Sequence, residues 1–227
     1  MRLWTFEPGY RRNGGLRVRG WPSLLGLLGL LSVPALVSAA SVDVVAWKEQ
    51  SFCRKVAALF GERLMPDSEV FKTVEWKPVE LKGQGPKTRH CSSLDQALLD
   101  LDNDGTKDLV IKTTFCMKGA PSDSLYVFPA DSRVLEQLSW QDMGPLLATS
   151  DKFERTGGRY PLTALPMSSE SSKGNPALNT VFTIQPFIVD NHRYVAMRDA
   201  RGEWTVIANY LRGERFEDLC YLRTKLS

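Results

Sequence analysis

The sequence predicts a mainly β domain of the α+β class, its antiparallel strands running as meanders, with one helix near the N-terminus of the folded part. Three observations predict it. From Thr180 onward apolar and polar residues partly alternate between short turn clusters. An acidic stretch, "DLDNDGTKDLV" at Asp100 to Val110, sits between two strand-like apolar runs. Only residues 47–64 carry apolar side chains at helical spacing; period 2 marks a half-buried strand and period 3.6 an amphipathic helix.

Residues 1–40 read as an export signal and stand apart from the fold. Arg11, Arg12, Arg17 and Arg19 precede "WPSLLGLLGLLSVPALVSAA", an apolar run that ends in small residues, so cleavage is expected after Ala39 or Ala40. Trp21 to Ala39 approaches the length of a membrane span, but Pro34 and the Val37-Ser38-Ala39 ending favour a cleaved signal. The segment holds no cysteine for a lipid anchor, and the expected location is the periplasm or the exterior. Of the chain's 29 basic and 26 acidic residues, this segment holds five Arg and one Glu, leaving 24 and 25 and a net charge of −1. A near-neutral surface gives no electrostatic footprint for nucleic acid, which is excluded as a partner, as is the membrane once the signal is removed. Residues 41–227 are long enough for one domain with a substantial core.

Within that domain, Phe52, Val56, Leu59 and Phe60 form the apolar stripe of the helix, with Cys53 beside it. "LKGQGPKTRH" at residues 81–90 reads as a loop. "SLDQALLDL" and "LVIKTTFCM" read as a strand pair around the acidic stretch, and "SLYVFPA" as a third strand. Residues 134–153 fit a short helix or a loop equally, and "LPMSSESSKGNPALN" at 165–179 is an exposed loop. The last segments, "TVFTIQPFIV", "RYVAMR", "EWTVIANYL" and "ERFEDLCYLR", read as four strands joined by the turns "DNH", "DARG" and "RG". Pro186 within the first of them asks for a bulge or an edge position, because it cannot donate to a ladder. No internal repeat is long enough for a solenoid.

The acidic stretch is the chemical centre of the sequence. Asp100, Asp102, Asp104 and Asp108 fall at positions 1, 3, 5 and 9 of a loop with Gly105 at position 6. Alternating acids on a turning chain aim at one centre, and glycine permits the sharp bend that returns the later ligands. Thr106, at position 7, offers its backbone carbonyl. Two carboxylates about 4 Å apart repel by about 4 kcal/mol at an effective dielectric of about 20, so four converging acids ask for a cation. Oxygen ligands in this number select a hard ion, and a flexible loop suits Ca2+ better than Mg2+. Turn chemistry alone accounts for "DNDG" but asks for no acids at positions 1 and 9.

An EF-hand needs Glu at position 12, where this chain has Ile111. The stretch instead resembles the calcium loops of FG-GAP or VCBS-type repeats, D-x-D-x-D-G-x-x-D between two strands. That resemblance covers about twelve residues and a single copy, and it implies hairpins like those of a propeller blade.

Four cysteines in an exported chain predict two disulfides. If residues 99 and 109 face each other, paired numbers sum to 208; Cys91 and Cys116 sum to 207, which favours their pairing and leaves Cys53 for Cys220.

No set of catalytic residues emerges. G-x-S-x-G, H-E-x-x-H and a Gly-rich phosphate loop are absent from the sequence. His90 and Cys91, being adjacent on a strand, point to opposite faces. Asp142, Glu154 and Glu170 serve as a glycosidase pair only if the fold sets two of them at the required separation. His192 is a solvated turn residue, and Trp76, Trp140 and Trp204 read as core before ligand contacts. The expectation is a non-catalytic, calcium-stabilised exported domain that binds another protein. Its layout resembles periplasmic inhibitor or immunity proteins directed at secreted cell-wall hydrolases; the alternatives are a secreted hydrolase of such polymers and a structural envelope component.

Overall fold

The computed structural model describes residues 41–60, 73–83, 93–117, 120–153, 160–161, 165–167, 177–178, 181–199, 201–213 and 216–225. β1 (Ser41–Trp47) leads into α1 (Gln50–Phe60); β2 (Lys77–Pro78), β3 (Ser93–Leu99), β4 (Asp108–Met117) and β5 (Ala120–Pro129) follow. Two short helices, α2 (Val134–Gln137) and α3 (Met143–Leu147), precede β6 (Asp151–Phe153). A minor pair, β7 (Tyr160–Pro161) and β8 (Ala177–Leu178), comes before β9 (Val181–Val189), β10 (His192–Asp199), β11 (Trp204–Asn209) and β12 (Glu217–Lys225).

Two five-stranded sheets result, in the orders β1-β12-β11-β10-β9 and β2-β3-β4-β5-β6, every neighbouring pair antiparallel. In the first sheet the four C-terminal strands pair in chain order, and β1 closes against β12 from the far end of the chain. Asp190 and Asn191 both take positive φ, at 51° and 61°, the backbone that a two-residue hairpin turn requires. Pro186 lies on β9, an edge strand, where its missing donor is tolerated.

Three buried clusters give the layering. Ala97, Leu99, Val110, Leu125 and Val127 of the second sheet pack with Ile184, Val195, Met197, Val206, Ala208 and Tyr221 of the first. On the other face of the first sheet, Cys53, Val56, Ala57 and Phe60 of α1 pack on Phe187, Val189, Ala196, Ile207 and Leu222. The outer face of the second sheet, with Leu94, Leu109, Ile111 and Phe128, is covered by Val134, Leu138 and Leu147. The layers therefore run helix, sheet, sheet, short helices. Each fully buried aliphatic side chain in them contributes about 1.5–3 kcal/mol relative to exposure.

This architecture corrects the predicted fold class. The fold is mixed α/β with three helices among the described residues, not a mainly β fold with one. The propeller-blade expectation also fails: each sheet is open, ending in two edge strands, β1 and β9 in one and β2 and β6 in the other. The cause lies in the burial pattern. Leu109, Val110 and Ile111 are consecutive and all buried, as are Thr205 to Ala208, so both faces of each sheet need cover, and helices supply the outer cover. Residue pairs of β3 and β4 run from Ser93↔Thr114 to Leu99↔Asp108, so paired numbers sum to 207 and the register differs by one from the predicted value. A disulfide joins Cys53 on α1 to Cys220 on β12, with a Cα–Cα distance of 5.5 Å. The Cys91–Cys116 pairing lies outside the described residues. Among the described residues, no helix is long and apolar enough to cross a membrane.

Candidate functional site

The loop between β3 and β4 is shaped by its own acids. Asn103 and Gly105 adopt left-handed backbone, with φ of 61° and 89°, conformations that Asn tolerates and glycine takes freely. Three carboxylates accept backbone N–H groups of the same turn. Gly105 N donates to Asp100 Oδ2 at 3.0 Å, Asp104 N to Asp102 Oδ1 at 3.3 Å, and Thr106 N to Asp104 Oδ1 at 2.7 Å. These bonds fix the side chains while leaving further lone pairs for a ligand.

Ligand atoms of Asp100, Asp102 and Asp104 consequently lie within 4.8 Å of one another, a group able to hold a metal ion. Asp100 and Asp102 are half-buried and Asp104 is exposed. Asp108 stands apart from that trio. As the first residue of β4 it is 2 % exposed, and its Oδ1 accepts a hydrogen bond from Arg212 Nη2. Burial raises the Asp108 carboxyl above the usual carboxylate range, Arg212 pulls it back down, and the field of Asp102 and Asp104 raises it again. Arg212 Nε also lies 3.3 Å from Asp102 Oδ2.

The residues fit a hard cation. Every side-chain donor of the trio is a carboxylate oxygen, and one of these, Asp100 Oδ1, is buried without a hydrogen-bond partner; Asp108 Oδ2, outside the trio, is in the same condition. A buried charged oxygen left in that condition is costly unless a cation serves it.

Two anchors tie the loop, which belongs to the second sheet, to the first. Leu101 is 0 % exposed within the core between the sheets. Asn103 exchanges two hydrogen bonds with the backbone of Arg193 on β10: its Nδ2 donates to the carbonyl at 3.0 Å, and its Oδ1 accepts from the N–H at 2.7 Å. Burial lowers the Arg193 guanidinium below its ordinary range, and the charge of Asp100 opposes that shift.

The predicted site residues thus divide. Asp100, Asp102 and Asp104 are brought together, Thr106 contributes an N–H to Asp104, and Asp108 is engaged by Arg212. Arg212, Arg193 and Asn103 were not legible as site residues. Arg212 sits in the "RG" turn 104 positions beyond Asp108, and no spacing rule spans that interval. Asn103 reads as an ordinary turn residue until the second sheet's loop is seen against the first.

Of the other candidates, His90, Cys91, Glu154 and Glu170 lie outside the described residues. Asp142 accepts a hydrogen bond from Ser139 Oγ and returns its N–H to that oxygen at 3.2 Å, within a turn. Trp204 stacks on Tyr221 with ring centroids 5.2 Å apart and carries Arg223 on its face, as a boundary residue of the core does.

A separate cleft of about 600 Å³ opens beside the turn after β11 and is lined by Tyr126, Asp151, Lys152, Tyr210 and Gly213. Tyr210 Oη donates to Asp151 Oδ2 at 3.3 Å. Burial, joined by the Asp151 charge, pushes the Tyr210 phenol up. The residues as placed pair one carboxyl with one phenol.

Comparison with known proteins places the chain in no family: no family model, curated protein or solved structure matches it.

Proposed function

We propose that the acidic loop binds one Ca2+ and that the chain is an exported, calcium-stabilised domain whose task is to bind another protein. The observation that carries the metal reading is the trio Asp100, Asp102 and Asp104, with ligand atoms within 4.8 Å of one another and Asp100 Oδ1 buried without a partner. Asp108 and the Thr106 carbonyl complete the ligand set by the spacing of the loop. Oxygen ligands on a flexible turn favour Ca2+ over the smaller Mg2+, which demands near-ideal octahedral geometry and keeps its water. The bound ion supplies structural neutralisation of crowded carboxylates.

Export is supported by residues 1–40 and by the Cys53–Cys220 disulfide, a bond that persists in oxidising compartments. The protein-binding role rests on the layout of the sequence, and its fitting partner is a secreted cell-wall hydrolase held inactive by the complex.

Thermal melting in calcium and in chelator tests the metal reading. Wild type is expected to melt higher in calcium, because a ligand at about 100 times its Kd adds about 2.7 kcal/mol. The double variant Asp100→Ala, Asp104→Ala is expected to melt identically in both. A wild-type melting point indifferent to calcium sinks the assignment. Titration of purified hydrolase, with loss of its activity as the readout, then tests the partner.

A further inference from the structure

We propose that Arg212 is a positioning residue for the calcium ion: from the turn after β11, braced on the buried Asp108, it holds Asp102 by one oxygen and so keeps that carboxylate within the trio that faces the metal. This deepens the calcium reading above and rests on it.

The accounting of oxygen atoms leads there. Asp108 is 2 % exposed, its Oδ1 is taken by Arg212 Nη2, and its Oδ2 is buried without any hydrogen-bond partner. Asp108 lies outside the trio whose ligand atoms come within 4.8 Å of one another, so its enclosed carboxylate serves as the fixed post on which Arg212 is braced. The guanidinium is a planar fork, so a single side chain reaches both Asp102 Oδ2, 3.3 Å from Nε, and Asp108 Oδ1. Lysine has one point charge and cannot span both.

Charge counting opposes the contrary reading, in which Arg212 is a competitor that the metal must expel. Asp100, Asp102, Asp104 and Asp108 carry four negative charges, and Arg212 and Arg193, the latter attracted to Asp100, carry two positive ones. The formal remainder is −2, which one divalent cation cancels with both arginines in place. Expelling Arg212 leaves the buried Asp108 carboxylate, whose other oxygen already lacks a hydrogen bond, without a partner at either oxygen.

Groups that orient metal ligands without touching the metal typically change affinity by about 10- to 100-fold when removed. Calorimetric titration of Ca2+ into wild type, Arg212→Gln and Arg212→Lys tests the proposal. Arg212→Gln is expected to weaken binding by at least about tenfold, and Arg212→Lys to recover part of that loss. A merely structural arginine would lower the melting point in chelator while leaving the calcium Kd unmoved, and an unmoved Kd overturns the proposal. A tighter Kd in Arg212→Gln overturns it in favour of competition; in both cases the calcium reading stands. Absence of calcium binding in wild type and both variants overturns the calcium reading and this proposal together.

Discussion

Asp123 is a buried acid, away from the acidic loop, whose ionisation bears on stability. It lies on β5 and is 3 % exposed. Its Oδ1 accepts from Thr114 Oγ1 at 2.7 Å on the neighbouring strand, and its Oδ2 accepts from Ile184 N at 3.1 Å on β9 of the other sheet. Burial raises its carboxyl above the ordinary range, and Thr114, Lys112 and the Ile184 amide offset part of that shift. The folded state therefore holds the Asp123 proton to higher pH than the unfolded state, whose carboxyl titrates at about 3.9. With the folded value raised, this group's contribution to stability is greatest below the unfolded pKa and falls as pH rises through the folded pKa. Asp123→Asn keeps an acceptor for Ile184 N and turns its amide toward Thr114. The variant is expected to gain on wild type as pH rises from 4 to 7, read from urea unfolding at each pH. A difference that stays constant across that range shows that Asp123 is not the titrating group.

At the scale of elements, α1 shows how a short helix is held. Eleven residues form a marginal helix in isolation. Cys53, Val56, Ala57 and Phe60, spaced i, i+3, i+4, i+7, lay one stripe on the first sheet, where Phe60 meets Phe187 edge to face at 5.4 Å. The ion pair of Lys55 with Asp190 is exposed on both sides and contributes little. The disulfide to β12 closes a separation of 167 residues. Replacing both Cys53 and Cys220 with Ala is expected to lower unfolding stability by about 2–5 kcal/mol, measured by denaturant titration without reductant. A loss below about 1 kcal/mol, far short of that range, shows that the apolar stripe alone holds the helix.

Across the whole molecule, legibility followed the length of the pattern. β9 to β12 were readable because turn residues punctuate runs of six to nine residues, and Trp204, Val206, Ala208 and Tyr210 indeed share the face toward the second sheet. β2 and β6 have two and three residues, and α2 and α3 four and five, too few to display any period. β1 abuts the apolar leader, and its partner β12 is the last strand in the chain, so its role is visible only in the fold. The propeller-like reading leaned on twelve residues of loop, and a loop does not determine how its sheet is covered. In the site, three aspartates were legible because their period is local, whereas Arg212 and Arg193 arrive from the other sheet.

The two hydrogen bonds between Asn103 and the backbone of Arg193 set an order of events in time. The loop carries every proposed ligand, while the backbone that clips Asn103 and both arginines belong to the other sheet, so the ligands are fully braced only after the two sheets have docked. A cation that needs this bracing is expected to act late on the folding route, through contacts made after the transition state. Calcium is therefore expected to act as a latch on departure: unfolding slows in proportion to the stability gained, and the refolding rate stays nearly unchanged. Stopped-flow refolding and unfolding in calcium and in chelator measure both arms, and a calcium effect carried mainly by faster refolding would place loop closure before sheet docking.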